Sequence, residues 1–383
     1  MNINEEKLKI ARILAGYSLT DLAEILNISK QSLSQYENGV EPKADVLLKI
    51  IKQLNCTIEF LETPFLSDIK IKNKFFRATA AATANERKNQ EIKTTIVIRL
   101  YKFIQNFLDF PKLNLPDIDN DLPIEQKAQI LREYWNLGER PIANLINCFE
   151  SNGIVISSFN SSNNKMLNYK IDGYTQSIYD NAETSYYVII EDNKESWARK
   201  NFSLAHELGH IILHNNEDMY IDKPRTEQSE IESEANQFAA AFLLPAEAFK
   251  RDMKVVRKLD DFVQLKSKWK VSIGAMLLRA RQLGIITSEK YTTFIKSYSY
   301  RKYRNGEPLD DQLPIFKPTL FKRGLELLFE NGYSLDEFEK TLAREGLALP
   351  LSTIEELLCL GEGFFDKYRP KEIPIIIKLD KRT

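Results

Sequence analysis

Through residues 5–54 the apolar positions recur at helical spacing and are cut by sharp punctuation. EKLKIARILAGY predicts a first helix ending at Gly16-Tyr17. Ser18 can cap the next, LTDLAEILNI, with Asp21 three residues on, close to a capping box. That helix stops at Asn27-Ile28. Ser29 then caps KQSLSQYENG, which closes at Asn38-Gly39, and ADVLLKIIKQLN is a fourth helix. Two short helices joined by a tight turn, with Leu22, Ala23, Ile28 and Leu33 inward, make a helix-turn-helix. TIEFLET (57–63) alternates and predicts a short strand or extended exit. Residues 77–108 read as one long helix, rich in Ala and Thr early and apolar-periodic later. PKLNLPDIDNDLP (111–123) is turn-rich and acidic, as a linker would be. Two amphipathic helices follow, IEQKAQILREYWNLG and PIANLINCFESNG, the second with Pro141 in its first turn and Gly153 at its end.

The period then changes. GIVISSF (153–159), NYKIDGYTQS (168–177) and SYYVIIED (185–192) are β-rich runs, with the polar FNSSNNKM a hairpin or loop between the first two. Helical periodicity returns in RKNFSLAHELGHIILHNN, whose apolar positions predict a largely buried helix, and in ESEANQFAAAFLLP, which Pro245 ends. DDFVQLKSKWKVSIGAMLLRARQLGI reads as helix, turn, helix with Ser272 as a cap. YSYRKYRNGEPLDDQLP is expected to be a solvated loop. TLFKRGLELLFENG, SLDEFEKTLAREG and STIEELLCLGE are expected to form a small helical bundle.

Composition changes this picture little. The 383 residues allow two or three domains, and the net charge of −1 gives no global pull toward nucleic acid or an anionic membrane. Local charge matters more. Residues 1–64 carry seven Lys/Arg and nine Asp/Glu, whereas residues 65–103 carry nine and three. The second stretch is therefore expected to supply the positive field that the first lacks. No run of eighteen apolar residues and no basic start before an apolar core predict neither a membrane span nor a secretory signal. Three scattered cysteines, Cys56, Cys148 and Cys359, suit a reducing compartment, so the expected location is the cytoplasm.

The candidate chemistry sits in SLAHELGHIILH. The chain's three histidines, His206, His210 and His214, all lie in it. His206 and His210 are four apart, about 6 Å along a helix axis and on one face. Both imidazoles can then reach one tetrahedral zinc at about 2.0–2.1 Å. Glu207, beside His206, can contact a metal-bound water without ligating, which is the mechanical meaning of HExxH. His214 lies about 12 Å from His206 along the axis and cannot join the same ion. It is expected to support or cap instead. A third ligand has to be a carboxylate or cysteine, and Glu230, Glu232 and Glu234 all lie on the following helix, where periodicity cannot choose among them. Tyr186, Tyr187 and Asn236 are candidates for an oxyanion donor. Cys148 is a weaker candidate for reversible occupation of the open metal position.

Two resemblances sharpen these expectations. SLTDLAEILNISKQSLSQYENGVEPKADVLLKIIKQLN resembles the Xre/Cro-type repressor domain. Carried over by position, that places Gln31, Ser32 and Gln35 at base edges and Lys30, Asn38 and Lys43 near phosphates. RKNFSLAHELGHIILH followed by EANQFAAAFLLP resembles the ImmA/IrrE-type metallopeptidases. In that family the glutamate before Ala-Asn is the third ligand, which implies Glu234, and Glu207 becomes the general base. The expected fold is α+β: a helix-turn-helix domain (1–64), a basic helical linker (65–120), a zincin-like peptidase domain with a small β-sheet and the HExxH helix (121–300), and a C-terminal helical region (301–383). The resemblance implies a zinc (Zn2+) endopeptidase that binds double-stranded DNA and cleaves a regulatory protein, a transcriptional repressor by expectation, in a stress, mobile-element or phage circuit. No membrane partner is expected, and a homodimer is among the expected assemblies. Mn or Fe would also suit a His₂Glu site. The competing expectation is a transcription regulator whose zinc is structural or sensory and which cuts nothing.

Overall fold

The computed structural model describes residues 3–65, 71–78, 84–159, 171–180, 183–191, 196–214, 224–312 and 316–369. The chain opens with α1 (Glu5–Leu14), α2 (Leu19–Leu26), α3 (Lys30–Tyr36), α4 (Ala44–Leu54) and α5 (Ile58–Glu62). The caps do what the side chains allow. Ser18 and Asp21 close a full capping box on α2, Asn27 turns left-handed (φ 57°) after it, and the Ser29 hydroxyl accepts from Ser32 N–H to start α3. Leu22, Ala23 and Leu33 are buried, with Ile28 packed against them. The segment 57–63, expected as a strand, is instead helix α5. The Thr57 hydroxyl accepts from Phe60 N–H, and burying the adjacent Phe60 and Leu61 outweighs a five-residue alternation.

Of the helix expected over 77–108, residues 84–105 form α6 (Ala84–Gln105), while Arg77 and Ala78 end a strand that was not expected, β1 (Ile71–Ala78). From Thr94 to Ile104, α6 is buried nearly all round, as a central core helix is. The segment expected as a basic linker therefore contributes to a packed core. Lys93 is buried, and the Arg99 guanidinium lies over the Phe65 ring at 4.0 Å, so neither charge is offered to solvent as a phosphate contact.

Beyond α6 come α7 (Ile124–Tyr134), α8 (Leu145–Ser151) and strands β2 (Ile154–Phe159), β3 (Ile171–Asp180) and β4 (Glu183–Glu191). The strands order as β1-β3-β4-β2, with β2 parallel to β4 and the other pairs antiparallel. The run 159–166 lies outside the described residues apart from Phe159. Then follow α9 (Trp197–Leu213), which packs on β3 and β4, α10 (Arg225–Leu243), α11 (Ala246–Met253), α12 (Asp261–Trp269), α13 (Ile273–Gln282) and α14 (Ser288–Tyr300). Helices α15 (Leu320–Glu330), α16 (Leu335–Arg344) and α17 (Leu351–Leu357) and a 3-10 turn at Phe365–Tyr368 complete the described chain.

Two hydrophobic cores form. One joins α1–α6 to α15–α17, so both ends of the chain build it. The other collects α7–α14. Strand β2 serves both through its period of two: Ile154 and Ile156 enter the second core and Val155 the first. The C-terminal helices are thus a wall of the helix-turn-helix body. Thr57 Oγ1 donates to Ala348 O (3.0 Å), and Lys7 Nζ donates to Gly346 O. Gly346 has φ +74°, and a Cβ there would lie 2.3 Å from Pro64 O, so the approach requires glycine. Side-chain hydrogen bonds cross between the bodies. The Glu150 carboxylate on α8 accepts from Thr319 N–H and Leu320 N–H at the start of α15, and Ser157 Oγ donates to Leu357 O. The run 298–314, expected as a solvated loop, is partly interior over its described residues 298–312: buried Glu307 takes Lys266 Nζ (2.8 Å) and the first N–H groups of α13.

Candidate metal centre and DNA-reading helix

Helix α9 is buried along most of its length, and His206, Glu207 and His210 lie in its buried stretch. Helix α10 crosses close to it because residue 209 is glycine. A Cβ there would sit 3.0 Å from both Cα and O of Ala235 and 3.3 Å from Phe238 Cβ. The close crossing delivers α10 carboxylates to the histidines.

His206 Nε2 and His210 Nε2 are 3.0 Å apart. Glu232 Oε2 lies 3.2 Å from the first and its Oε1 lies 3.5 Å from the second. Tetrahedral zinc with 2.0–2.1 Å bonds sets its donors roughly 3.3–3.4 Å apart. The two imidazole nitrogens and the two Glu232 carboxylate oxygens therefore come close to that spacing, and one ligand atom from each of the three residues lies within 4.8 Å of the others. Burial opposes the ionised form of Glu232. The hydrogen bonds and charge of His206 and His210 outweigh it and hold the carboxyl well below the ordinary carboxylate range.

The structure does not bring Glu234 to this pair. Two residues further on, Glu234 is turned roughly 200° around α10 from Glu232, so the two carboxylates cannot share a target. Glu234 instead accepts from His214 Nε2 at 2.9 Å, and its side chain is 49% exposed. The expected placement of Glu234 beside His206 and His210 is corrected to Glu232 on this geometry. Asn236, four residues after Glu232 and on its face, sets its Oδ1 3.0 Å from His206 Nδ1. It orients a histidine where an oxyanion donor was expected. The side chains of Tyr186 and Tyr187 lie outside the described residues. Cys148 packs partly buried against the second core on α8. Burial, partly offset by the Arg132 charge, pushes its thiol up to about 11, opposite to what a ligating thiolate needs.

In the N-terminal body, Lys30, Gln31, Gln35, Asn38 and Lys43 are exposed on and around α3. Ser32 is half-buried, its hydroxyl 2.8 Å from that of Ser29, and Asn38 Nδ2 donates to Ser34 O. Behind the helix, Arg12 pairs with Glu37 at 2.6 Å and fixes α1 to the end of α3.

Residues 150–281 match the peptidase M78 family model described as IrrE N-terminal-like domain. Residues 8–61 match a model described as Helix-turn-helix. The two matched segments stand in the order of an N-terminal helix-turn-helix followed by an ImmA/IrrE-type domain. No curated protein matches it. The IrrE-like segment supports a metallopeptidase-type enzyme and contains α9, α10 and every residue of the donor triangle. The helix-turn-helix segment supports DNA binding and contains the whole exposed face of α3. Among the described residues, no helix is long and apolar enough to cross a membrane.

Proposed function

We propose that the protein is a DNA-binding zinc endopeptidase whose zinc is held by His206, His210 and Glu232 and whose general base is Glu207. The observation that carries this is the convergence of His206 Nε2 and His210 Nε2 at 3.0 Å with Glu232 Oε2 and Oε1 at 3.2 and 3.5 Å from them, inside the segment that matches the IrrE-like model. Bound there, zinc supplies a Lewis acid and lowers the pKa of a water. Glu207, buried beside His206, would be the general base there, the group that takes a proton from the attacking water and returns it to the leaving amine. The β-sheet under α9 gives the segment its zincin-like, α+β character. Lys30, Gln31, Ser32, Gln35, Asn38 and Lys43 read double-stranded DNA: Gln31 and Gln35 are suited to adenine edges, and Lys30 and Lys43 to phosphates. The substrate class that fits a DNA-tethered peptidase is another DNA-bound regulator, a transcriptional repressor, in the cytoplasm.

The test pairs metal content with proteolysis. Wild type should carry close to one zinc per chain. His206→Ala and Glu232→Ala should lose it. Glu207→Gln should keep the zinc and lose cleavage of DNA-bound repressors from the same cell. Zinc retained by Glu232→Ala would remove that ligand assignment. Unchanged biological output from a zinc-loaded Glu207→Gln protein would favour a structural or sensory metal.

A further inference from the structure

We propose that Glu234, His214 and His210 form a directed hydrogen-bond relay that presents the His210 Nε2 lone pair to the metal, making His214 and Glu234 positioning residues. The inference rests on the metal reading above and extends it to side chains that cannot themselves ligate.

The direction follows by elimination along the chain of contacts. A carboxylate only accepts, and a neutral imidazole has one donor and one acceptor nitrogen. Glu234 Oε2 lies 2.9 Å from His214 Nε2, so that nitrogen carries the hydrogen. His214 Nδ1 is then the acceptor. It lies 3.2 Å from His210 Nδ1, which must donate. His210 Nε2 is left bare. On the other side, the Asn236 carbonyl oxygen 3.0 Å from His206 Nδ1 places the hydrogen there and leaves His206 Nε2 bare. Two lone pairs thus face each other at 3.0 Å beside the Glu232 carboxylate. Three electron-pair donors converging on one point repel unless a cation lies among them, a metal ion in the loaded site or otherwise a proton shared between the imidazoles and Glu232. Helix α10 supplies all three partners at alternate positions: Glu232 to the centre, Glu234 to the relay and Asn236 to His206. His214 is 2% exposed and ends α9, so the relay runs from a half-exposed carboxylate through a buried imidazole to the centre.

The zinc affinity of the full-length protein, measured by competition with a chromophoric chelator, tests this, together with nitrogen-15 spectra of the histidine rings. Only three histidines exist, so each ring is assigned by single substitution. In the zinc-loaded protein, His206 and His210 should carry hydrogen on Nδ1 and His214 on Nε2. His214→Leu should weaken zinc binding roughly tenfold to a hundredfold. His214→Asn, whose Oδ1 can take the His210 hydrogen, should recover most of the loss, and Glu234→Gln should lose less than His214→Leu. Circular dichroism shows whether each variant folds, and the ring spectra of wild type decide the matter even where a variant does not. A His214 ring protonated at Nδ1, or His214→Leu binding zinc as tightly as wild type, would overturn the relay. A wild type that binds no zinc, or a His206→Ala variant that keeps its affinity, would sink the metal reading itself. Zinc that depends on His206 and is indifferent to His214→Leu would sink the relay alone.

Discussion

The two bodies of this chain are closed in different ways. The buried core of the body with the candidate metal centre comes from one continuous stretch, α7 to α14, although its sheet also takes in β1 from residues 71–78. The helix-turn-helix body begins at the N-terminus, takes α6 through its centre and is walled by α15–α17 from the far end of the chain. The body proposed to read DNA therefore rests on contacts between residues some three hundred positions apart, whereas the proposed metal donors come from residues 206–232. Strand β2 and Glu150 touch both bodies. A change in one body has a short physical route to the other.

Removal of the C-terminal wall should have the largest effect. Ending the chain at residue 318 exposes Leu8, Phe60 and the apolar face of α6 to water. The first body should then lose its cooperative unfolding transition and its DNA affinity, while the second keeps its transition and its metal. Calorimetry and DNA titration read the two separately. DNA binding unchanged by the truncation would show that residues 1–64 stand alone and would dissolve the comparison.

Single core substitutions sharpen it. Phe338 is fully buried among Phe103, Phe329 and Phe365, and Phe249 is fully buried against Trp269 in the other core. Each change to alanine should cost about 3–5 kcal/mol. If the bodies unfold independently, Phe338→Ala lowers one calorimetric transition and Phe249→Ala the other. Both transitions moving together in either variant would mean that the contacts of Glu150 and Ser157 weld the bodies into one unit.

Gly209→Ala acts within the second body. Alanine gains about 1 kcal/mol in helix propensity, but its Cβ meets Ala235 backbone at 3.0 Å and pushes α10 outward. Overpacking of this kind costs about 1–3 kcal/mol. A net loss of up to about 2 kcal/mol is expected. Zinc affinity should fall more clearly than stability, because the same shift withdraws Glu232. An affinity equal to wild type would show that the crossing distance does not govern the donor triangle.

These contrasts also explain what could be read from the chain alone. The HExxH pair was legible because an i, i+4 spacing fixes geometry within one helix. The capping of α2 and α3 was legible because Ser18, Asp21 and Ser29 act on neighbours three residues away. The choice between Glu232 and Glu234 was not, since it depends on how α10 is rotated against α9. That rotation is set by a tertiary contact at Gly209. Amphipathic helices at 320–357 announced a buried face but not its partner, so the shared core with α1–α6 stayed hidden. The lysines and arginines of 65–103 suggested a basic helical linker, although IVIRLYKFI within it is apolar apart from Arg99 and Lys102. Segment 57–63 misled because alternation over five residues is weak beside a Thr57 cap and two adjacent buried side chains.

The smallest expected effect probes the seam between the chain ends. Lys7 lies fully buried, with its Nζ on Gly346 O and over the Phe60 and Phe65 rings at 4.4 and 3.6 Å. Burial, with help from the nearby Arg99 charge and against the pull of Glu6, lowers its pKa from 10.5 to about 7. The unfolded chain then binds more protons than the folded one between those two values. Stability from this group therefore rises with pH across that window, and its cost is fully present below about 7. Between pH 7 and 8 the gain should be about 1 kcal/mol. Lys7→Met removes the ionisable group, so the difference between wild type and Lys7→Met isolates it from every other titration. That difference should move in favour of wild type as pH climbs from 7, and it should do so only in the transition of the first body. A difference flat in pH would place the Lys7 ammonium in contact with water, and the seam between the two ends of the chain would then be looser than its buried lysine implies.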